Sequence, residues 1–200
     1  MKTNETKKLQ VFMLVTGMFL FLLSGCTKDL QTSPDAKLLA ETALLKKNGM
    51  REIPLKLDFY SRRNYTMSPS CEGAYFGVYQ VGEGTGTSLG NFSVTGTFCM
   101  NANFEYINAE LEFVASNGDK LFMLIANGVV LPLPYNDPLY EFYFQDKFII
   151  TGGTGRFEGA SGSGYTDSYL DLFVDGDPNQ VIAEHQTDHK FTGTLILPGE

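Results

Sequence analysis

Apolar and polar residues alternate with a period of two through most of the chain. Ile53, Leu55, Leu57 and Phe59 are separated by Pro54, Lys56 and Asp58, which is the pattern of a strand with one buried face. The alternation recurs between glycine-, proline- and asparagine-containing turns, and predicts further strands at 74–81, 89–100, 104–115, 120–126, 139–151, 162–174 and 186–197. Residues 52–200 are therefore predicted to form one all-β domain of about eight strands.

Short connections between these runs indicate antiparallel neighbours. Ser116-Asn117-Gly118-Asp119 separates two of them, and Asn-Gly favours a two-residue hairpin turn because both residues accept positive φ. A sheet that closes into a barrel leaves no unpaired edge, whereas two packed sheets keep their edges. We predict an eight-stranded antiparallel β-barrel, with a two-sheet sandwich as the alternative.

One predicted strand, residues 120–126, is apolar on both faces. A strand of this kind needs cover on its outer side as well. The cover is either a second copy of the chain or a short N-terminal helix. That helix is predicted over 36–47, where leucines recur at helical spacing before Asn48-Gly49, a typical helix end.

The first 25 residues have the features of an export signal. Lys7 and Lys8 precede an apolar run over 11–23, which is shorter than the roughly 20 residues of a membrane-spanning helix. The run ends in Leu23-Ser24-Gly25-Cys26. This sequence resembles the lipobox of bacterial lipoproteins, in which a diacylglycerol is attached to the cysteine before cleavage. An ordinary signal peptide with an incidental cysteine is the alternative.

Lipidation at Cys26 predicts both layout and location. Residues 1–25 would be the signal peptide, residues 26–51 a lipid-anchored tether with the short helix, and residues 52–200 the barrel domain. Several acyl chains on one cysteine give stable attachment to a membrane. We therefore expect a protein of the cell envelope, lipid-anchored to the outer membrane on either its periplasmic or its outer surface.

Charge argues against a nucleic-acid partner. The formal net charge is −8, and the segment before Cys26 holds three lysines and one glutamate, so the exported part carries −10. A surface of this sign repels phosphate backbones. Acidity alone identifies no ligand.

Cys71 and Cys99 remain once Cys26 carries lipid. Export would bring this even pair into an oxidising compartment, so we predict a disulfide between them. Closing a loop of about 28 residues would stabilise the fold by on the order of 3 kcal/mol in the chain-entropy model. Two free, buried thiols are the alternative.

The most distinctive stretch covers 149–162, where five glycines surround Arg156-Phe157. A second glycine-rich stretch covers 84–94, and Asn117-Gly118-Asp119-Lys120 and Phe191-Thr192-Gly193-Thr194 complete the layout. Together these segments resemble the superfamily of allene oxide cyclases and dirigent proteins, in its exported bacterial branch. The resemblance covers roughly residues 53–197 and implies an eight-stranded barrel. Its glycine-turn motifs hold no catalytic residue that could be carried over.

Aromatic residues that share one phase predict an apolar barrel interior. An eight-stranded barrel is just wide enough to be filled by side chains or to hold one small ligand. The aromatic pocket candidates are those whose phase points inward, namely Phe92, Phe98, Phe142, Phe144 and Phe148.

Two carboxylates share this inward phase. Asp146 is in phase with Phe144 and Phe148, and Glu105 is in phase with Ile107. Burying a carboxylate is costly unless it is hydrogen-bonded or protonated. Each would therefore lie near a barrel mouth or have a function, and both are pocket candidates. A β-bulge that turns Asp146 outward is the simpler alternative.

No metal, cofactor or catalytic residue is predicted. His185 and His189 would lie about 13 Å apart in a strand, too far for one zinc ion, and we expect both to face solvent. Asp175, Asp177 and Asn179 open like a calcium loop, but the glycine and the closing glutamate of such a loop are missing. No Ser/His/Asp or Cys/His catalytic motif is recognisable.

Two functions fit such an interior. The first is a lipid-anchored, non-catalytic barrel that binds a small apolar ligand or has a structural role. The second, implied by the resemblance, is a cyclase or isomerase like allene oxide cyclase, which steers a reactive fatty-acid epoxide in an apolar pocket. The resemblance also implies a homotrimer formed through the outer walls. A filled interior would exclude both pocket functions and leave an interaction module that uses its outer surface.

Overall fold

The computed structural model describes residues 49–63, 69–170 and 186–199. The helix predicted over 36–47, Cys26, His185 and the acidic segment 175–179 lie outside these residues. Nothing helical in the described part has the length and hydrophobicity of a membrane-spanning helix. The described residues form ten strands and a single 3₁₀ turn, Gly155–Phe157. The strands are β1 (Arg51–Arg63), β2 (Phe76–Gly86), β3 (Gly90–Met100), β4 (Glu105–Ala115), β5 (Lys120–Val129), β6 (Leu131–Pro132), β7 (Phe142–Phe144), β8 (Lys147–Gly153), β9 (Ser161–Leu170) and β10 (Gln186–Leu197).

Eight of these strands close into an antiparallel barrel. β1 to β5 pair in sequence order, β8 joins β5 to β9, and β9 pairs with β10. β10 then pairs with β1 from Arg51 opposite Leu197 to Arg62 opposite Gln186. The prediction of an all-β, eight-stranded antiparallel barrel is confirmed. The sandwich alternative is wrong, because the β1–β10 pairing closes the sheet on itself.

The predicted strand 139–151 is present as two pieces, β7 and β8. Both pair with β9 in one register, since Phe144 lies opposite Ser168 and Lys147 opposite Tyr165. The pairing of β8 with β5 stops at Leu124, whereas β7 pairs with the short strand β6. β5 therefore pairs with β8 but separates from β7, and the separation lies next to Asp146.

Side chains alternate between the barrel interior and its surface, as a period of two requires. One end of the interior is filled, because the largest fully buried side chains gather there. Phe157 reaches this core from the 3₁₀ turn that follows the glycine-rich stretch. Burying one such phenylalanine contributes about 1.5–3 kcal/mol. The members with 2% exposure or less are Leu55, Leu57, Leu89, Phe113, Leu121, Met123, Phe148, Phe157, Phe191 and Leu195.

Two glycines let strands approach closely at this filled end. A Cβ atom on Gly193 of β10 would lie 2.7 Å from the Cα atom of Gly164 on β9. A Cβ atom on Gly164 would lie 2.5 Å from the tip of the Phe148 ring. Both positions exclude a larger residue. The closing Phe191-Thr192-Gly193-Thr194 segment thus has a packing role.

Cys71 and Cys99 form a disulfide, with their Cα atoms 5.8 Å apart. The bond ties the segment that precedes β2 to the end of β3. By the chain-entropy model, closing a loop of 28 residues restricts the unfolded chain enough to stabilise the fold by on the order of 3 kcal/mol.

The outer face of β5 carries Phe122 and Leu124, both half-buried. Leu124 lies opposite Ile149 of β8, whose side chain is 44% exposed. The inner face of β5 holds Leu121, Met123 and Ile125, all buried. The strand is therefore apolar on both faces. Association of copies into a trimer through this wall stays a prediction.

Candidate functional site

The end of the barrel opposite the filled core is hollow. Its cavity has a volume of about 190 Å³, the order of size at which an apolar protein cavity accommodates one aromatic ring. Phe76 and Phe104 line it and are 43% and 41% exposed, so the cavity reaches the surface between them. The apolar part of the wall consists of Phe59, Val78, Val94, Phe98, Met100, Ala109, Leu111, Ile125, Val130, Phe142, Phe144, Leu170 and Phe191.

The predicted aromatic candidates divide between the cavity and the core. Phe98, Phe142 and Phe144 line the cavity. Phe92 and Phe148 point inward but belong to the filled part, where they are 5% and 0% exposed. The phase along a strand thus predicts which side chains point inward. It does not predict where along the barrel the filled core ends and the cavity begins.

The expectation for Glu105 is corrected by the structure. β4 has a bulge at Asn108, whose φ is +52°, and the β3–β4 register shifts at this point. An extra residue reverses the phase of what lies on its far side, so Tyr106 faces the interior. Glu105 is exposed and accepts a hydrogen bond from Asn101 Nδ2 at 2.8 Å.

Asp146 keeps its inward phase, so the alternative of an outward-turning bulge is wrong. The Asp146 amide donates to the Thr166 hydroxyl at 2.8 Å, and the Tyr106 hydroxyl donates to Asp146 Oδ2 at 2.6 Å. Tyr106 lines the cavity, whereas the half-buried carboxylate lies behind it. Burial raises the pKa of Asp146, opposed by the hydrogen bond from Tyr106.

Tyr106 is held in its protonated form. Burial, followed by the hydrogen bond to Asp146, raises the pKa of its hydroxyl. The single hydroxyl proton is directed at Asp146. Only the oxygen lone pairs of Tyr106 remain for a molecule in the cavity.

His189 is a polar residue of the cavity wall that the sequence did not predict. We expected it to face solvent, but it is 6% exposed and stacks on the Phe59 ring at 4.4 Å between centroids. The expectation was wrong because β10 is paired on both edges and His189 shares the inward phase of Phe191 and Leu195. That shared phase was the signal that could have identified it.

A chain of hydrogen bonds surrounds the imidazole. Ser168 Oγ lies 2.9 Å from His189 Nδ1, and Ser61 Oγ lies 2.8 Å from Nε2. Ser61 donates its proton to Gln80 Oε1 at 3.2 Å. The Ser61 oxygen therefore accepts from Nε2–H, and Ser168 donates to Nδ1, which satisfies a neutral imidazole. Burial lowers the pKa of His189 to about 3.

This arrangement favours binding over proton transfer. A serine nucleophile needs a base that can take its proton near neutral pH and a group that orients that base. Here serines occupy both imidazole nitrogens, and the low pKa makes His189 a weak base. In residues 49–63, 69–170 and 186–199, no cluster of three or more His, Cys, Asp or Glu side chains could hold a metal ion.

Comparison with known proteins finds similarity among solved structures. No family model and no curated protein matches the chain. Among solved structures, the chain is similar to the pterocarpan synthase dirigent protein GePTS1, with a TM-score of 0.42 and 14% sequence identity. The similarity covers 76% of this chain and 87% of that one.

Burial of His189 makes the fold sensitive to acid. The folded pKa of about 3 lies below the value of 6.5 for a free histidine, so between these values the unfolded chain binds one proton more. Stability that is present above about pH 6.5 is therefore lost as the pH falls towards 3, by up to about 1.4 kcal/mol per pH unit. Urea unfolding at several pH values between about 7 and about 4.5 measures this slope.

Two variants test whether His189 causes this dependence of stability on pH. His189→Gln removes the titrating group and keeps hydrogen-bonding atoms, so we expect a shallower pH dependence than in the parent. His185→Gln replaces the other histidine and should leave the slope unchanged. Equal slopes for the parent and His189→Gln would contradict the assignment.

Proposed function

We propose that this protein is a lipid-anchored protein of the cell envelope whose barrel binds a small, mostly apolar molecule without transforming it. The observation that carries the proposal is the cavity of about 190 Å³, which is lined largely by aromatic and aliphatic side chains. Concave apolar sites with a few placed polar groups are where proteins bind small molecules.

The small size of some side chains in the cavity wall supports a role for the cavity in ligand binding. Gly96 and Ala109 line the cavity, whereas Phe113 and Phe148 fill the other end of the same barrel. Larger side chains at the small positions would add buried apolar area, which stabilises a fold. Leaving this space empty therefore gives up stability, as ligand sites commonly do.

The polar groups of the cavity are engaged with one another and not with an incoming reactant. His189 is held neutral between Ser61 and Ser168, and Tyr106 directs its proton at Asp146. General acid–base catalysis needs a group whose pKa lies near the working pH. Binding without reaction is the function that these contacts favour.

The anchor is the second part of the proposal. Cys26 follows an apolar run and the small residues Ser24 and Gly25, the requirements for lipid attachment. An acidic soluble domain on such an anchor would hold its cavity close to the membrane. Small apolar molecules concentrate in membranes, so an anchored barrel would meet its ligand there.

A cyclase or isomerase is the second candidate, and the Tyr106–Asp146 pair favours it. The carboxylate lies directly behind a tyrosine that lines the cavity, at 2.6 Å from its hydroxyl. A ligand hydroxyl could donate to the Tyr106 oxygen while the carboxylate holds the ring in place. NMR spectra of the released molecule separate the two candidates, since a binding protein releases its ligand unchanged and an isomerase releases a rearranged product of the same mass.

Filling the cavity should abolish binding. Val78 is 3% exposed and lines the cavity, whereas Val81 on the same strand is 36% exposed on the outer face. We expect Val78→Phe to weaken binding of ethylbenzene about tenfold or more, because the ring occupies the ligand's space. Ligand-observed NMR titration of the purified protein measures the affinity.

Val81→Phe is the matched control and should bind ethylbenzene like the parent. A ligand of about ten non-hydrogen atoms is expected to bind in the millimolar to micromolar range, which sets the titration range. Equal affinities for the Val78→Phe and Val81→Phe proteins, or no binding by the parent, would refute the proposed cavity function.

Replacing the proposed lipidation site should release the protein from the membrane. Cys26→Ser removes the acceptor thiol, so metabolic labelling with an alkyne fatty acid should fail on this variant. The Cys71→Ser/Cys99→Ser double variant keeps Cys26 and should be labelled like the parent. A labelled Cys26→Ser protein, or an unlabelled parent, would overturn the anchor.

A further inference from the structure

Most hydrogen-bonding side chains of the cavity lie on one wall. Together with Ser168, which contacts His189 from β9, they form a polar row across the four neighbouring strands β9, β10, β1 and β2. His189 lies opposite Ser168 on one side, and Thr187 lies opposite Ser61 on the other. Gln80 continues the row through its contact with Ser61. The wall formed by Phe98, Phe142 and Phe144 is apolar apart from the neighbouring Tyr106 hydroxyl, which donates to Asp146.

Most hydrogen-bond donors of this polar row donate to other members of the row. Ser168 donates to His189, His189 donates to Ser61, and Ser61 donates to Gln80 Oε1. This chain ends at the Gln80 side chain, which lines the cavity and accepts from Ser61 through its carbonyl oxygen. The amide NH₂ group of Gln80 takes no part in the chain and is the donor that the row offers to a ligand.

Thr187 presents a second unused group. Its side chain is 1% exposed and lines the cavity, and its Oγ1 atom is buried without a hydrogen-bond partner in the described part of the chain. A buried hydroxyl without a partner costs free energy, and a valine would fill the same volume without that cost. An unsatisfied group in such a place marks the position of an absent partner.

We propose that the cavity takes an apolar molecule with one uncharged oxygen acceptor, such as a ketone, aldehyde or ester carbonyl, and that Thr187 and Gln80 bind this oxygen. This inference rests on the proposed function and specifies its ligand class. The apolar remainder of the molecule lies against Phe98, Phe142 and Phe144. The polar row thus orients the ligand in the barrel.

An uncharged oxygen fits better than a carboxylate. Ser61, Gln80, Thr187 and Ser168 carry no charge, and burial lowers the pKa of His189 to about 3, so it is neutral. A carboxylate at this depth would lose its water without gaining a counter-ion from the row. Arg63 also lines the cavity and is half-buried, but its guanidinium carbon lies 5.4 Å from the centre of the exposed Phe76 ring and not within the polar row.

Matched probes and variants test the assignment. Acetophenone and ethylbenzene have similar shapes and differ by the carbonyl oxygen, and benzoate adds a charge. We expect Thr187→Val to weaken acetophenone binding about fivefold to tenfold and to leave ethylbenzene binding unchanged. Thr187→Ser keeps the hydroxyl and should retain the parent's affinity for acetophenone. Thr192→Val, an exposed position on the same strand, is the control and should bind all probes like the parent.

Stability and selectivity give separate readouts. Since Thr187 Oγ1 has no hydrogen-bond partner among the described residues, Thr187→Val should unfold at a urea concentration at least as high as the parent, which shows that lost binding is not lost folding. Unchanged acetophenone affinity in Thr187→Val, or tighter binding of benzoate than of acetophenone, would overturn the ligand class while ethylbenzene binding upholds the cavity. If neither acetophenone nor ethylbenzene binds the parent, the proposed function itself fails.

Discussion

The pairing of the first and last strands is the constraint on which the rest of the structure depends. β1 and β10 are far apart in the sequence but pair residue by residue, with Leu57 opposite Phe191 and Phe59 opposite His189. A slip of one residue would turn every inward side chain to the surface. This register brings Phe191 into the core, stacks His189 on Phe59 and closes the sheet. The filled core and the polar row both follow from it.

The two ends of the barrel differ in packing: one stabilises the fold, and the other provides the cavity that is proposed to bind a ligand. Aromatic rings such as Phe113, Phe148 and Phe157 fill one end, and Gly164 and Gly193 let its strands approach closely. The other end keeps small residues in its wall and leaves space. A well-packed core at one end can stabilise a fold that gives up packing at the other. The separation of β5 from β7 places Asp146 and Tyr106 at the border of the hollow end.

Periodicity predicts most of the fold, because nearly every strand alternates between an apolar and a polar face and the chain offers few helical signals after residue 52. It failed where the backbone departs from regular pairing. Glu105 was assigned to the interior because nothing in the alternation reveals the bulge at Asn108. Asp146 shows the opposite error, since its phase was correct and the bulge considered as the simpler alternative does not exist.

The polar row was missed for a different reason. His189 was assigned to solvent from its residue type, although its phase matched Phe191 and Leu195. Ser61, Thr187 and Ser168 give no signal in the sequence, because single hydroxyl residues in strands are common. Their importance arises from cross-strand neighbours, and one sequence does not state which strands are neighbours. The depth of the cavity depends on the same long-range packing.

The central claim is that this barrel is filled at one end and hollow at the other. Diffraction from crystals pressurised with xenon tests it most directly, because xenon enters apolar cavities of this size. We expect xenon to bind between Phe59, Phe98 and Phe144. We expect none among Phe113, Phe148 and Phe157. A barrel interior without xenon, with side chains meeting across the position of the cavity, would contradict it.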